Sequence, residues 1–266
     1  MTATIAAKTL RDQRRGLIGW AIGMTGLVLM YSTFFPSIQA NAAKLNGYVR
    51  SLPEAIRNLV GESGGLASST GYLRSEIFAT MGPLLLLILA IGAGSRAIAG
   101  EEEAHTLDLL LANPVRRRDI VVEKAAAMAL AVVSVGAVLW FAIVVFGPLF
   151  GIHVALANVA AACLSAVLLA IAFGSLSLLV GCITGRRSFA NAVAATIAVV
   201  MFLLNILAPS VTSLEPAKLA SFFYYYLAHD PLRTGVSVPH ALVLLGASAV
   251  AIAAAAAVFE RRDLAA

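Results

Sequence analysis

Long apolar runs alternate with short polar ones along this chain, and the run lengths decide its class. Six stretches reach the ~20 apolar residues that a helix needs to cross a bilayer. They are Leu17–Pro36, Ile77–Ala99, Ala125–Gly147, Val154–Cys182, Phe189–Ala208 and Pro239–Phe259. The fourth is long enough that it must tilt or project beyond the lipid. No segment shows the ten-residue alternation of a barrel strand, which leaves helices to satisfy the backbone in hydrocarbon. The pattern predicts an all-α integral membrane fold with six transmembrane helices, residues 1–266 forming a single transmembrane domain.

Composition agrees. Of 266 residues, 60% are hydrophobic and only 12% charged, with a mean hydropathy of +0.90. A soluble domain of this size needs far more charge on its surface. The net charge of +5 is small, and its basic residues cluster beside apolar runs, which points to membrane orientation and away from nucleic acid. The two cysteines, Cys163 and Cys182, fall in one run. A continuous helix separates them by roughly 28 Å, too far for a disulfide, and they have no metal-ligand spacing.

An even number of spans puts both termini on one side. Assigning that side to the cytosol places 13 of the 19 basic residues inside, among them Lys8, Arg11, Arg14, Arg15, Arg116–Arg118, Lys124, Arg186, Arg187, Arg261 and Arg262. This matches the positive-inside rule. The first run also has a basic flank and an Ala-x-Ala at Ala40–Ala42. It is longer than a signal-peptide core and lies too far from that site, so it is expected to stay as a span.

Before it, residues 2–15 set Ile5, Ala6 and Leu10 against Lys8, Arg11, Arg14 and Arg15. This predicts a short N-terminal basic amphipathic helix in the interface, with a disordered positive flank as the alternative. In the first outer loop Pro53 and Gly61 bracket a small surface helix. The five consecutive aromatics Phe222–Tyr226 fit a headgroup belt or else a substrate gate. Gly19/Gly23 and Gly181/Gly185 are GxxxG pairs, a weak signal for close helix contact.

Chemistry is sparse. There is no GxxxxGK[ST] phosphate loop and no HExxH, so no catalytic residue, cofactor or metal site is expected. The histidines lie at loops and span ends. Only Arg96 approaches the membrane interior, near enough to the cytosolic end to snorkel. Ion-coupled carriers usually hold charged groups or broken helices at the midplane. If this chain moves a substrate uphill, the energy enters from another molecule.

Charge is concentrated instead in GEEEAHTLDLLLANPVRRRDIVVEK, Gly100–Lys124. Glu101–Leu111 is expected to form a cytosolic extension of the second span or a short separate helix, roughly 16 Å long, its acidic start suiting a helix N-terminus. It presents Leu107, Leu110 and Leu111 on one face. Asn113-Pro114 stops it. An apolar face between acidic and basic clusters suits docking of a soluble partner; the alternative is a hairpin lying on anionic headgroups.

The stretch from Gly71 to Lys124 resembles the region between the second and third spans of ABC-2 type permeases. The family's acidic run, Thr-Leu, acidic residue, leucines, Pro and basic residue match Glu101, Glu102, Glu103, Thr106-Leu107, Asp108, Leu109–Leu111, Pro114 and Arg116. Leu52–Glu54, FFYYYLAHDPLRTGV and the Arg261–Leu264 ending are also similar to the family. His105 departs from it, since relatives commonly have glycine there; a helix does not require glycine, so the docking idea is left intact, with an effect on partner choice left open.

The resemblance implies an ABC transporter permease subunit whose cytosolic coupling helix seats on a separate ABC ATP-binding subunit. Two permeases, identical or different, would work with two ATPases in the plasma membrane of a prokaryote. Residues implied in coupling are Glu101–Glu103, Thr106, Leu107, Asp108, Leu110, Leu111, Pro114, Arg116, Arg117 and Arg118, with Arg186 and Arg187 as a second contact. Membrane lipids and no nucleic acid complete the partners. The rival readings are a secondary transporter or channel, and a membrane assembly or maturation factor without transport of its own.

Overall fold

Six helices long and apolar enough to cross a membrane make up the bundle, joined on one side by short helical turns. The computed structural model describes residues 5–41, 68–107, 115–208 and 217–262, and among these there is no strand. The spans are α1 (Ile5–Ala40), α2 (Ser69–Glu103), α3 (Arg117–Phe146), α4 (Leu156–Thr184), α5 (Arg187–Leu207) and α8 (Val238–Arg261). Between α5 and α8 lie two short helices, α6 (Phe222–Leu227) and α7 (Pro231–Thr234). The beginnings of α1, α3 and α5 and the ends of α2, α4 and α8 meet on one face, called the basic face below. The expected surface helix around Pro53 lies outside the described residues.

The N-terminal basic segment is helical, as its pattern predicts, but runs without a break into the first span. Together they form one helix of 36 residues, about 54 Å long, against a hydrocarbon core of about 30 Å. Its first turn is fixed to α3, where the Glu123 carboxylate accepts from the Ala6 N–H at 3.1 Å. That carboxylate satisfies one of the four donors a helix start leaves open.

At the centre is α4, the most buried of the six spans, while α1 and α5 are the least. Its small residues let neighbouring backbones come close. A Cβ added at Gly94 of α2 would fall 2.2 Å from the Gly174 carbonyl oxygen of α4. Just below, Ser177 Oγ donates to the Ile91 carbonyl at 3.0 Å. The Gly94–Gly174 contact therefore depends on glycine at both positions. Of the GxxxG pairs, Gly19 and Gly23 have nothing within 4 Å; Gly181 does pack closely, a Cβ there falling 3.5 Å from Ala99 Cβ of α2, while Gly185 ends α4 in the left-handed region at φ +65°.

Two stretches of α2 are widened to π geometry, Leu73–Met81 and Arg96–Gly100. The first has a local cause. Pro83 carries no N–H, and its ring collides with the carbonyl four residues back in an α-helix. The wider register relieves this: the Gly82 N–H bonds to the Ile77 carbonyl, five residues back. The next bond in that register would run from Pro83 to the Phe78 carbonyl and cannot form. The buried Tyr226 hydroxyl takes its place, donating to that carbonyl at 2.6 Å. Tyr226→Phe should therefore cost about 1–3 kcal/mol by stranding a buried acceptor, seen as an earlier thermal midpoint in detergent.

The aromatic run thus splits by side. Phe223 and Tyr226 are buried, and Phe222, Tyr224 and Tyr225 are half-exposed. A headgroup belt accounts for only the second group. Next to them Arg74 pairs with Asp230 at 2.8 Å, fastening the α6–α7 turn to α2.

Candidate functional site

Of the two forms expected for the acidic run, the extension of the second span holds as far as Glu103, so the run ends a helix and does not begin one. Glu101–Glu103 are the last turn of α2, where the helix dipole opposes negative charge. Consecutive helical residues point about 100° apart, so three carboxylates in a row reach three different neighbours. Glu101 forms an ion pair with Lys124 of α3, whose side chain is only 6% exposed. Glu102 takes a two-pronged bond from Arg262, just past α8, at 2.6 and 2.9 Å. Glu103 Oε1 accepts from the Arg187 N–H at 2.8 Å, capping the start of α5. These partners offset the unfavourable dipole.

Arg262 is the hub of a second set of contacts. Its Nη1 also donates to the Cys182 carbonyl near the end of α4 at 3.3 Å. Its own carbonyl accepts from Arg117 Nη1 at 2.7 Å, and the Arg117 guanidinium lies over the Phe259 ring at 6.0 Å. Gly185 makes room for the pair. A Cβ there would come within 2.4 Å of Arg262 Nη2 and 2.7 Å of Glu102 Oε1.

After Glu103 the chain turns. His105 N–H bonds to the Glu102 carbonyl at 3.1 Å and Thr106 N–H to the Glu101 carbonyl at 2.9 Å, while His105 sits at φ +53°. This is a Schellman ending, with His105 at the left-handed position that glycine normally fills. The expectation of one helix through Leu111 is corrected here. The premise that the backbone at 105 is helical and needs no glycine is corrected too: a side chain there is tolerated at a conformational cost. His105→Gly should stabilise the fold by about 1 kcal/mol, measurable as a raised unfolding midpoint.

The turn delivers Leu107 inward. It is 2% exposed, packed with Ala97, Ile98, Ile120, Val121, Ala125, Leu178, Cys182, Ala255 and Phe259 in a separate apolar cluster beneath the ion pairs. The exposed docking face expected of it is absent at this residue. Thr106 is exposed, its Oγ1 donating to the Glu101 carbonyl. Asp108, Leu110, Leu111 and Pro114 lie outside the described residues. Arg116 and Arg118 are exposed where α3 begins, and Arg186 and Arg187 are exposed at the α4–α5 turn. The structure brings these two arginine groups to the same face, where Glu103 holds the Arg187 N–H and Arg117 holds the Arg262 carbonyl. A family model described as ABC-2 family transporter protein matches residues 3–264.

The chain belongs to the ABC-2 transporter family.

No curated protein matches it. This permease is accordingly a multi-pass membrane protein of an ABC transporter. Lys124, Arg262, Glu123 and Gly185 are the members of the basic face that sequence reasoning missed as site residues. The signal available for Lys124 was an ionisable group at the mouth of an apolar span, which requires a partner. Arg262 was marked only as part of the family-like ending Arg261–Leu264, and its pairing had no local signal, since its partner Glu102 is 160 positions away.

Proposed function

We propose that this permease is the membrane subunit of an ATP-driven exporter, in the plasma membrane of a prokaryote, with the basic face and both termini in the cytosol. Residues 1–266 form one permease domain, which works beside a second permease chain and takes its energy from separate ATP-binding subunits. The substrate passes between the spans, and the permease contributes no catalytic group. The observation that carries this reading is the meeting of two loops on one face. Arg116 and Arg118 from one, and Arg186 and Arg187 from the other, stand exposed beside a rigid set of ion pairs. Such a rim suits an acidic partner surface. The bundle interior supports an outside energy source: among the described residues its buried side chains carry the hydroxyls of serines, Tyr72 and Tyr226, and the one buried side chain of a charged type is Lys124 at the basic end.

Orientation is tested with single cysteines. The native Cys163 and Cys182 are buried and should stay unlabelled. Ser188→Cys at the α4–α5 turn should react only with a permeant reagent, and His153→Cys on the opposite face with an impermeant one. Labelling of both from one side contradicts the topology. Energy supply is tested by ATP turnover, which should need the ATP-binding subunit and be negligible for the purified permease by itself.

A further inference from the structure

We infer that Glu101, Glu102 and Glu103 are positioning residues: they clasp the ends of α2, α3, α5 and α8 into one rigid body, so that force applied at either arginine loop reaches all four helices together. This deepens the proposed coupling function and rests on it for its purpose, though the clasp itself stands on geometry alone.

Each carboxylate has a partner within the chain. Glu101 holds the buried Lys124 ammonium. Glu102 holds both prongs of Arg262, and Glu103 holds an N–H of the first turn of α5. Arg262 then ties in α4 through the Cys182 carbonyl and α3 through Arg117. Partly buried charges with oriented partners keep more of their mutual attraction than exposed ones, and a two-pronged arginine–carboxylate contact fixes orientation as well as distance. The apolar cluster around Leu107 fills the space directly below. Ends joined by several oriented bonds over a packed core move as a unit, as expected of cores that do not deform continuously. A partner pushing on Arg116–Arg118 would otherwise move α3 alone, and one pushing on Arg186–Arg187 would move α5 alone.

The experiment uses the full permease with its ATP-binding subunit in lipid vesicles. Spin labels are placed at the exposed Ala104 and Arg261, beside the clasp on α2 and α8. Distances are measured without nucleotide and with ATP trapped by orthovanadate. The unaltered protein should give one narrow distance, the same in both states. Glu102→Gln keeps the side chain's size and removes its charge; it should broaden the distribution in both states. It should also lower permease-dependent stimulation of ATP turnover at least fivefold while leaving co-purification of the two subunits unchanged. Exchange of the charges, Glu102→Arg with Arg262→Glu, should recover part of the narrow distance, and Glu102→Asp should recover part of the stimulation.

A distribution that stays narrow in Glu102→Gln overturns the clasp. So does a shift of more than about one helical turn, ~5 Å, in the unaltered protein on trapping. Loss of co-purification in Glu102→Gln would make Glu102 a docking residue and also overturn it. If the unaltered complex shows no permease-dependent ATP turnover, the exporter reading fails, while the spin-label distances still decide the clasp.

Discussion

Replacing Leu107 with aspartate should unfold the basic end of the permease before it weakens any contact with a partner. Leu107 is buried among residues of α2, α3, α4 and α8. Truncating a buried leucine costs 2–5 kcal/mol through lost transfer energy and the cavity left behind. A carboxylate placed there also has to be desolvated or to take up a proton. The combined loss should be at least about 4 kcal/mol, visible as poor yield and an early thermal midpoint of the permease in detergent. Leu107→Met, which conserves volume, should cost under about 1.5 kcal/mol and keep the protein folded. If Leu107 instead anchored a partner, the aspartate variant would melt normally and lose only the partner. A normal midpoint for Leu107→Asp would therefore contradict the buried position.

How much of this was legible in the sequence follows from the range of each interaction. The spans were visible because crossing a bilayer needs some 20 apolar residues in a row, and each run states that requirement locally. Their edges were less visible: α2 begins at Ser69, eight residues before the apolar run, because polar residues near a span end continue the helix without altering hydropathy. The disturbance at Pro83 was passed over inside the apolar run Ile77–Ala99, and its remedy comes from Tyr226, 148 positions from the carbonyl it serves. The loop was misjudged for a related reason. Glu101–Glu103 resemble a helix start when the apolar pattern is taken to end at Ala99, and the left-handed His105 carries none of the glycine signal that marks a helix end. Charge pairs such as Glu102–Arg262 have no spacing rule at all. The sequence showed where charge was concentrated, and only the fold shows which charges are already partnered.

That distinction between partnered and unpartnered charge leads to the second large effect. Reversing Arg116, Arg118 and Arg186 together to glutamate should weaken binding of the ATP-binding subunit at least 100-fold, about 2.7 kcal/mol. These three side chains are exposed, and among the described residues their one ion pair is the open 3.5 Å contact of Arg118 with Asp119, of a kind worth little to stability. Arg117 is left in place because it bonds to the Arg262 carbonyl, and Arg187 because the start of α5 lies against Glu103. The variant should therefore melt like the unaltered permease. Its cost arises at the interface, where three attractive contacts become like-charge encounters. Raising salt should weaken binding to the unaltered permease and affect the variant far less, because screening acts on the attraction the substitutions remove. Cysteine labelling must confirm that the variant keeps its topology, since removing positive charge from one side also weakens the orientation signal. A correctly inserted, normally melting variant that binds the ATP-binding subunit with undiminished affinity would exclude this arginine rim as the docking surface and leave the anionic lipid headgroups as its partner.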